Sequence, residues 1–341
     1  MTTNKHKKIV TQADVARQAG VSRTTVSYVL NNATSISIPP ATRQRIIDAA
    51  AELDYIPNRA ARSLRTQKTY TIAGIIQDIT NPFHPAFERG IQDVAEQHGY
   101  DLIMYNTDGI LTKERKALNS ARYGRVDGII GSFVAVTDED FLPIVKQGVP
   151  VVRLSSILSP LTDYPLDMLH VDNEGAAYTA TNYLIARGHR IIGVLTGTGP
   201  PHSTRMKGYQ RALQEHGIPY EEDLVQGHAF SVEEGRQGMV ALMNRKPRPT
   251  AVFAHSDLMA MGALLTIREA RLRVPDDIAV IGFDNIFAAE LVTPALTTIE
   301  LPQRALGQRA AEMLFARIDG RVTGGGRYEE MPYRLVIRES A

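Results

Sequence analysis

Apolar side chains between residues 9 and 55 recur at helical spacing in three short runs. Val15, Ala16 and Ala19 make one face, Val26, Val29 and Leu30 a second, and Ile46, Ile47, Ala50 and Leu53 a third. Thr11 is placed to cap a helix over roughly 12–19, and Gly20 to end it in the left-handed conformation. Ser22 can cap a second helix, 23–31, almost at once. Two short helices joined that tightly, with Gly at the corner, make a helix-turn-helix pattern. A third helix follows Pro39-Pro40 and is long enough to cover the other two. From Tyr70 the period changes. Short β-branched runs at 71–76, 101–105, 128–132, 149–154, 169–172, 191–196, 251–255 and 278–283 predict strands. Helical spacing at 87–98, 176–187, 232–244 and 258–271 fits between them. Such alternation means parallel sheets covered on both faces. The stretch of about 270 residues exceeds what one sheet takes, so two doubly wound lobes are predicted.

Composition adds exclusions. The 341 residues contain no cysteine, which removes disulfides, thiolate metal sites and a thiol nucleophile. The leading MTTNKHKK has no apolar stretch behind its charges and does not read as a secretory signal. No run reaches the ~18 apolar residues of a membrane span. A cytoplasmic location is the expectation. The net charge of +1 hides a segregation. Up to Lys68 there are eleven basic and four acidic side chains, net +7; the remainder has 27 against 33, net −6. A basic head on a mildly acidic body points to a head that meets a polyanion.

Projected at about 100° per residue, the second helix turns Val26, Val29 and Leu30 inward and Thr24, Ser27, Tyr28 and Asn31 outward, with Arg23 at the exposed N-terminal edge. In a helix-turn-helix that N-terminal part enters the major groove of double-stranded DNA. Arg23, Thr24 and Tyr28 are the base-edge candidates. Thr11, Ser22, Thr25, Ser27 and Asn31 are better placed as phosphate or capping groups. Next, Pro57 stops the third helix and Asn58 can cap a short fourth over 59–65, carrying Arg59, Arg62 and Arg65 around Leu64. So short a helix does not hold alone in water and folds only against a partner. An apolar wedge flanked by Arg suits the minor groove.

The stretches VTQADVARQAGVSRTTVSYVLNN, IPPATRQRIIDAAAELDYIPNRAARSLRT and TIAGIIQDITNPF resemble the lactose/galactose repressor (LacI-type) family, and the resemblance extends over essentially the whole chain. It implies an α/β protein with an N-terminal all-α helix-turn-helix head and a two-lobed, doubly wound core like a periplasmic binding protein. The expected parts are a head at 1–57, a hinge helix and linker at 58–69, and a core at 70–341. Three crossings between lobes give lobe one about 70–170 and 300–325, and lobe two about 171–299 and 326–341. By resemblance Leu64 is the intercalating hinge leucine, with Asn58, Ala61 and Arg65 beside it at the DNA. Tyr28 departs from the Arg of many members.

Ligands of doubly wound sheets sit at the carboxyl ends of the strands, here between the lobes. Asp284 follows the apolar run IAVIGF, where a carboxylate can accept two hydroxyl bonds, and Arg205 follows another strand with a fork of donors. The resemblance implies effector contacts at both, at Ser256 in a usual Asn position, and at Phe230, an aromatic that stacks on the ligand ring. Phe83, Ser132 and Ser155 line the same cleft; Ser155 departs from a common Asp. Asp257 reads as a helix cap rather than a ligand group, His189 as a structural histidine, and Arg153, unusual in a strand, has no assigned place.

No Walker A loop, HExxH, GxSxG or EF-hand pattern occurs, and the nine histidines show no close metal spacing. The expectation is no enzyme, no cofactor and no metal. The expected protein is a homodimeric transcriptional repressor that binds operator DNA, with lobe-one helices at the dimer contact. A small molecule, a sugar on this reading, releases it. A purine-like corepressor is the alternative within the class, and a soluble ligand-binding protein without DNA function the alternative outside it.

Overall fold

A computed structural model describes residues 10–30, 36–56, 68–155, 161 and 163–341. The chain divides between Thr69 and Tyr70 into two compact units. In the first, helices α1 (Gln12–Ala19), α2 (Arg23–Leu30) and α3 (Pro40–Glu52) close on one core. Val15, Ala16, Ala19, Val26, Val29, Ile46, Ala49 and Ala50 form it, with Leu30 and Leu53 partly buried beside them. Gly20 takes φ 66° and ψ 38°, the left-handed conformation that turns the chain from α1 into α2. The Thr11 N–H and hydroxyl both donate to Asp14, at 3.0 and 2.7 Å, fixing the start of α1. Ile47, expected inside, is 44% exposed. Ile46, Ala49 and Ala50 already fill the inward arc, and position 47 falls about 60° outside it.

The second unit holds two six-stranded sheets. Its strands are β1 (Thr71–Ile76), β2 (Asp101–Asn106), β3 (Ile129–Ser132), β4 (Val151–Leu154), β5 (Leu166–Val171), β6 (Ile192–Leu195), β7 (Val225–Gln226), β8 (Ala251–Ala254), β9 (Ala279–Asp284), β10 (Thr297–Glu300), β11 (Tyr328–Met331) and β12 (Arg334–Val336). Sheet one runs β11-β5-β4-β3-β1-β2, all parallel; sheet two runs β12-β10-β9-β8-β6-β7, parallel except for β12 against β10. The helices are α4 (Phe83–Gln97), α5 (Leu111–Arg122), α6 (Asp138–Val145), α7 (Asn173–Ala186), α8 (Pro200–Glu215), α9 (Val232–Asn244), α10 (Asp257–Glu269) and α11 (Gln303–Ile318). Neighbouring helices meet through glycines: a Cβ added at Gly307 of α11 would collide with the Phe87 carbonyl of α4. Gly208 meets α7 and Gly262 meets α9 in the same way.

One boundary differs from the sequence reading, which gave 326–341 entirely to lobe two. Tyr328–Met331 instead pairs with β5 of sheet one, Tyr328 opposite Met168. An ionic contact at its entrance accompanies this pairing, and Met331 packs on the core. Asp167, fully buried, accepts from Arg317 (2.9 and 2.6 Å) and Arg327 (3.1 and 2.6 Å), which ties the β11 entrance to β5 and α11. A charged run such as RYEEM gives no strand signal when that partner is unknown. The third crossing therefore falls between β11 and β12. β5 also begins before its expected start at 169, because Asp167 reads as a loop residue until its two arginines are seen. Arg153 on β4, unplaced by sequence, pairs with Asp138 at 3.2 Å and lies 5.4 Å from the Phe141 ring centre, inside lobe one.

Candidate functional site

On the head, the start of α2 presents the outward groups. Ser22, Arg23 and Thr24 are exposed, while Thr25 and Tyr28 are half-buried. Ser22 Oγ accepts the Thr25 N–H at 3.1 Å and shares a 2.8 Å bond with the Thr25 hydroxyl, satisfying one of the free amides of the first turn. Thr11 is exposed at the start of α1. Ser27 corrects the projection: it is 6% exposed, because α1 and α3 close over the flank of α2 as well as its apolar stripe. It is not on the outward face. Asn31, Asn58, Ala61, Leu64 and Arg65 lie outside the described residues.

In the second unit, Phe83, Ser132, Ser155, Arg205, Phe230, Ser256 and Asp284 all line one cleft between the two sheets. Its cavity encloses about 150 Å³ and opens to solvent at its mouth. Strand ends supply the polar groups: Ser132 ends β3, Ser155 follows β4 and Asp284 ends β9. Arg205 reaches the cleft from the first turns of α8. Its Nε donates to Asn173 at 2.9 Å and one Nη to the His255 carbonyl, and its guanidinium lies 3.6 Å from the Phe283 ring centre. The other Nη stands 3.9 Å from Asp284 Oδ1, beyond hydrogen-bond range. Both side chains are buried, at 8% and 9% side-chain exposure.

Burial sets their titration. Burial lowers the Arg205 guanidinium to about 10 and pushes the Asp284 carboxyl up to about 7, with the partner's charge opposing burial in each case. Each ion thus retains unused hydrogen-bonding capacity in a site largely withdrawn from water. Asp284 also holds φ 112°, a costly conformation for a residue with a Cβ. It caps no helix. The cap of α10 is Ser256, whose Oγ accepts the Met259 N–H at 3.3 Å and keeps its own proton for another acceptor. Asp257, expected as that cap, turns away to the Ile286 N–H and the Thr298 hydroxyl.

Several lining residues carried no sequence signal. Gln77 donates to Ser132 at 3.2 Å, Asn81 accepts the Phe83 N–H, and Asn173 holds Arg205. His84 and His170 also line the cleft. The His170 Nε2 shares a 2.6 Å bond with the Tyr328 hydroxyl, and burial lowers His84 to about 4. Polar residues within helices and strands look like solvated positions until the two lobes face each other. Among the described residues, no three His, Cys, Asp or Glu are grouped to hold a metal, and no helix is long and apolar enough to cross a membrane.

Comparison with known proteins bears on both surfaces. The model of bacterial regulatory proteins of the lacI family matches residues 11–58, and that of the periplasmic binding protein-like domain matches 181–341. The HTH-type transcriptional repressor PurR of Photobacterium profundum is 37% identical over 337 residues, covering 97% of this chain and 98% of that protein. Among solved structures, the lac repressor dimer bound to operator and the anti-inducer ONPF superposes with a TM-score of 0.85 at 28% identity, covering 98% of this chain and 99% of that one. The transcriptional regulator CelR in complex with cellobiose gives 0.71 at 30% identity, covering 97% and 100%. The chain belongs to the lacI family of bacterial regulatory proteins, and is a DNA-binding transcriptional repressor controlled by a small molecule.

Proposed function

We propose that the controlling molecule is a sugar, held between the lobes, and that it releases a cytoplasmic homodimer from a pseudo-palindromic operator. The observation that carries this is the buried Arg205–Asp284 pair. At 3.9 Å the two groups are too far apart to satisfy each other, and vicinal hydroxyls can accept from the guanidinium while donating to the carboxylate. Ser132 and Ser256 add hydroxyls, and Phe83 and Phe230 add flat apolar walls, the usual mixture of a small-molecule site. The CelR structure holds cellobiose in the same fold. Nothing in this mixture requires bond making, and the cleft is read as binding without turnover.

The functional units on this reading are a DNA-reading head over 1–57, a hinge over 58–69 and a core over 70–341. Lobe one takes 70–171 and 302–331, and lobe two 172–301 and 332–341. A ligand that fits one lobe angle better than the other shifts the population toward it, and only by its difference in affinity for the two. Two-fold symmetry of the protein calls for two-fold symmetry of the site.

A purine-like corepressor is the second reading, supported by the aromatic rings of Phe83 and Phe230 in one cleft. One experiment separates them. Duplexes selected from a random pool supply the operator, and its affinity is then measured with neutral sugars and with purine bases. A sugar that weakens operator binding supports the first reading. A purine that tightens it replaces that reading with the second.

A further inference from the structure

We infer that Asp257 is a positioning residue of the effector cleft, holding the turn that aims Asp284 at the ligand. This rests on reading Asp284 as an effector contact. Asp257 does not line the cleft, yet it is fully buried beneath it at the start of α10. Its Oδ2 accepts the Ile286 N–H at 2.8 Å and its Oδ1 meets the Thr298 hydroxyl at 2.5 Å. One carboxyl group thus ties α10 to β10 and to the turn leaving β9. Gly282 leaves the space that Asp257 fills: a Cβ there would collide with Oδ1.

The turn it holds needs holding. Asp284 and Asn285 both have positive φ, 112° and 55°, conformations that side chains rarely adopt without outside constraint. Every residue of the turn is pinned. The Asp284 carbonyl accepts from the Gln303 side chain, and Asn285 accepts from Arg338 at 2.8 Å and donates to Glu300 at 3.0 Å. The Ile286 amide rests on Asp257. Of these anchors, Asp257 is the one supplied by the start of α10.

Its own protonation fits the role. Burial, and then the Asp284 charge, hold the Asp257 carboxyl well above the ordinary range. Its two partners are an N–H and a hydroxyl that can donate or accept, so an asparagine could meet both, accepting from Ile286 and donating to Thr298. The charged and titratable groups around the pair are Arg205 from α8, His255 before α10, Arg338 from the last segment, and Glu300 on β10, which Arg334 also engages. None substitutes for the bond to Ile286.

The test uses the full-length protein without ligand. Aspartate carboxyl carbons are labelled with ¹³C, and the Asp284 signal is assigned through Asp284→Asn. In the unsubstituted protein Asp284 titrates near 7. Asp257→Asn leaves that midpoint and the slow exchange of the Ile286 amide in place. Asp257→Ala frees the turn, so the midpoint falls by about 2–3 units toward the ordinary carboxylate value and the amide exchanges at least about a hundredfold faster. Thr298→Val removes the other partner of Asp257; it lowers the unfolding temperature and leaves the midpoint near 7. An unmoved midpoint in a folded Asp257→Ala variant overturns the inference. So does a midpoint that falls in Asp257→Asn, which also decides the matter if Asp257→Ala does not fold. The reading of Asp284 as an effector contact is tested apart, by effector binding to Asp284→Asn, so the two can fail separately.

Discussion

At the scale of single residues, the cleft is governed by two buried ions that do not quite meet. Replacing Asp284 by Asn keeps the shape and removes the charge-assisted acceptor. Hydrogen bonds to charged groups contribute about 1.5–3 kcal/mol, so effector affinity falls about 10- to 150-fold, measured by calorimetric titration. The Asp284 carboxyl also predicts a pH dependence. Its folded value is raised to about 7 by burial, against about 3.9 in an unfolded chain. The folded state therefore binds the extra proton between those limits, and the contribution of Asp284 to stability falls as pH rises from about 4 to about 7, then levels off. A ligand hydroxyl favours the ionised form, so effector binding at pH 6 releases protons. Binding heats measured in two buffers of different ionisation enthalpy detect this, and identical heats in both refute it.

At the scale of elements, local signals and tertiary packing divide the work. Gly20, the Ser22 cap and the apolar spacing of α1 to α3 are local features, and all were legible in the sequence. Gly307 is of the other kind. In the middle of α11 it costs helix stability, roughly 0.5–1 kcal/mol against Ala, and nothing local explains it. The structure does: α11 lies so close to α4 that a methyl group would meet the Phe87 carbonyl. Gly307→Ala gains helix propensity and loses packing, and overpacking of about 1–3 kcal/mol prevails. Denaturant unfolding should show the lower midpoint. The β11 strand belongs with Gly307, since the burial of Asp167 between Arg317 and Arg327, a contact far apart in sequence, helps make a charged run an edge strand.

At the scale of the molecule, charge separates the two functions. The first 68 residues carry eleven basic side chains and the remainder is net acidic, so operator binding draws much of its free energy from phosphate neutralisation. The observed association constant then falls with salt by about 0.9 logarithmic units per tenfold salt and per phosphate contact. Filter or anisotropy titrations at several salt concentrations measure the slope. Arg23→Ala should cost about 1–3 kcal/mol on the selected operator and relax the preference at one base pair in each half-site. A uniform loss across sequences would make Arg23 a phosphate contact instead.

The alternation of strand and helix, the tight helix-turn-helix and the segregation of charge follow from residue type and spacing, and these alone fixed the fold class and the two-function layout. Arg205, Asp284, Ser132 and Ser155 were legible because each stands at or just past the end of a strand, where doubly wound sheets place ligands; Phe83, Phe230 and Ser256 came with the family resemblance. What spacing does not encode is which polar residue faces which partner. Ser27 lies inside the head because two neighbouring helices cover its side of α2. Asp257 turns to Ile286 because β9 and β10 bring the Ile286 amide and the Thr298 hydroxyl to it. Gln77, Asn173 and His170 join the cleft because two lobes, distant in sequence, converge there. Local periodicity records only whether a side chain faces water or core; the identity of its partner is decided when the sheets assemble.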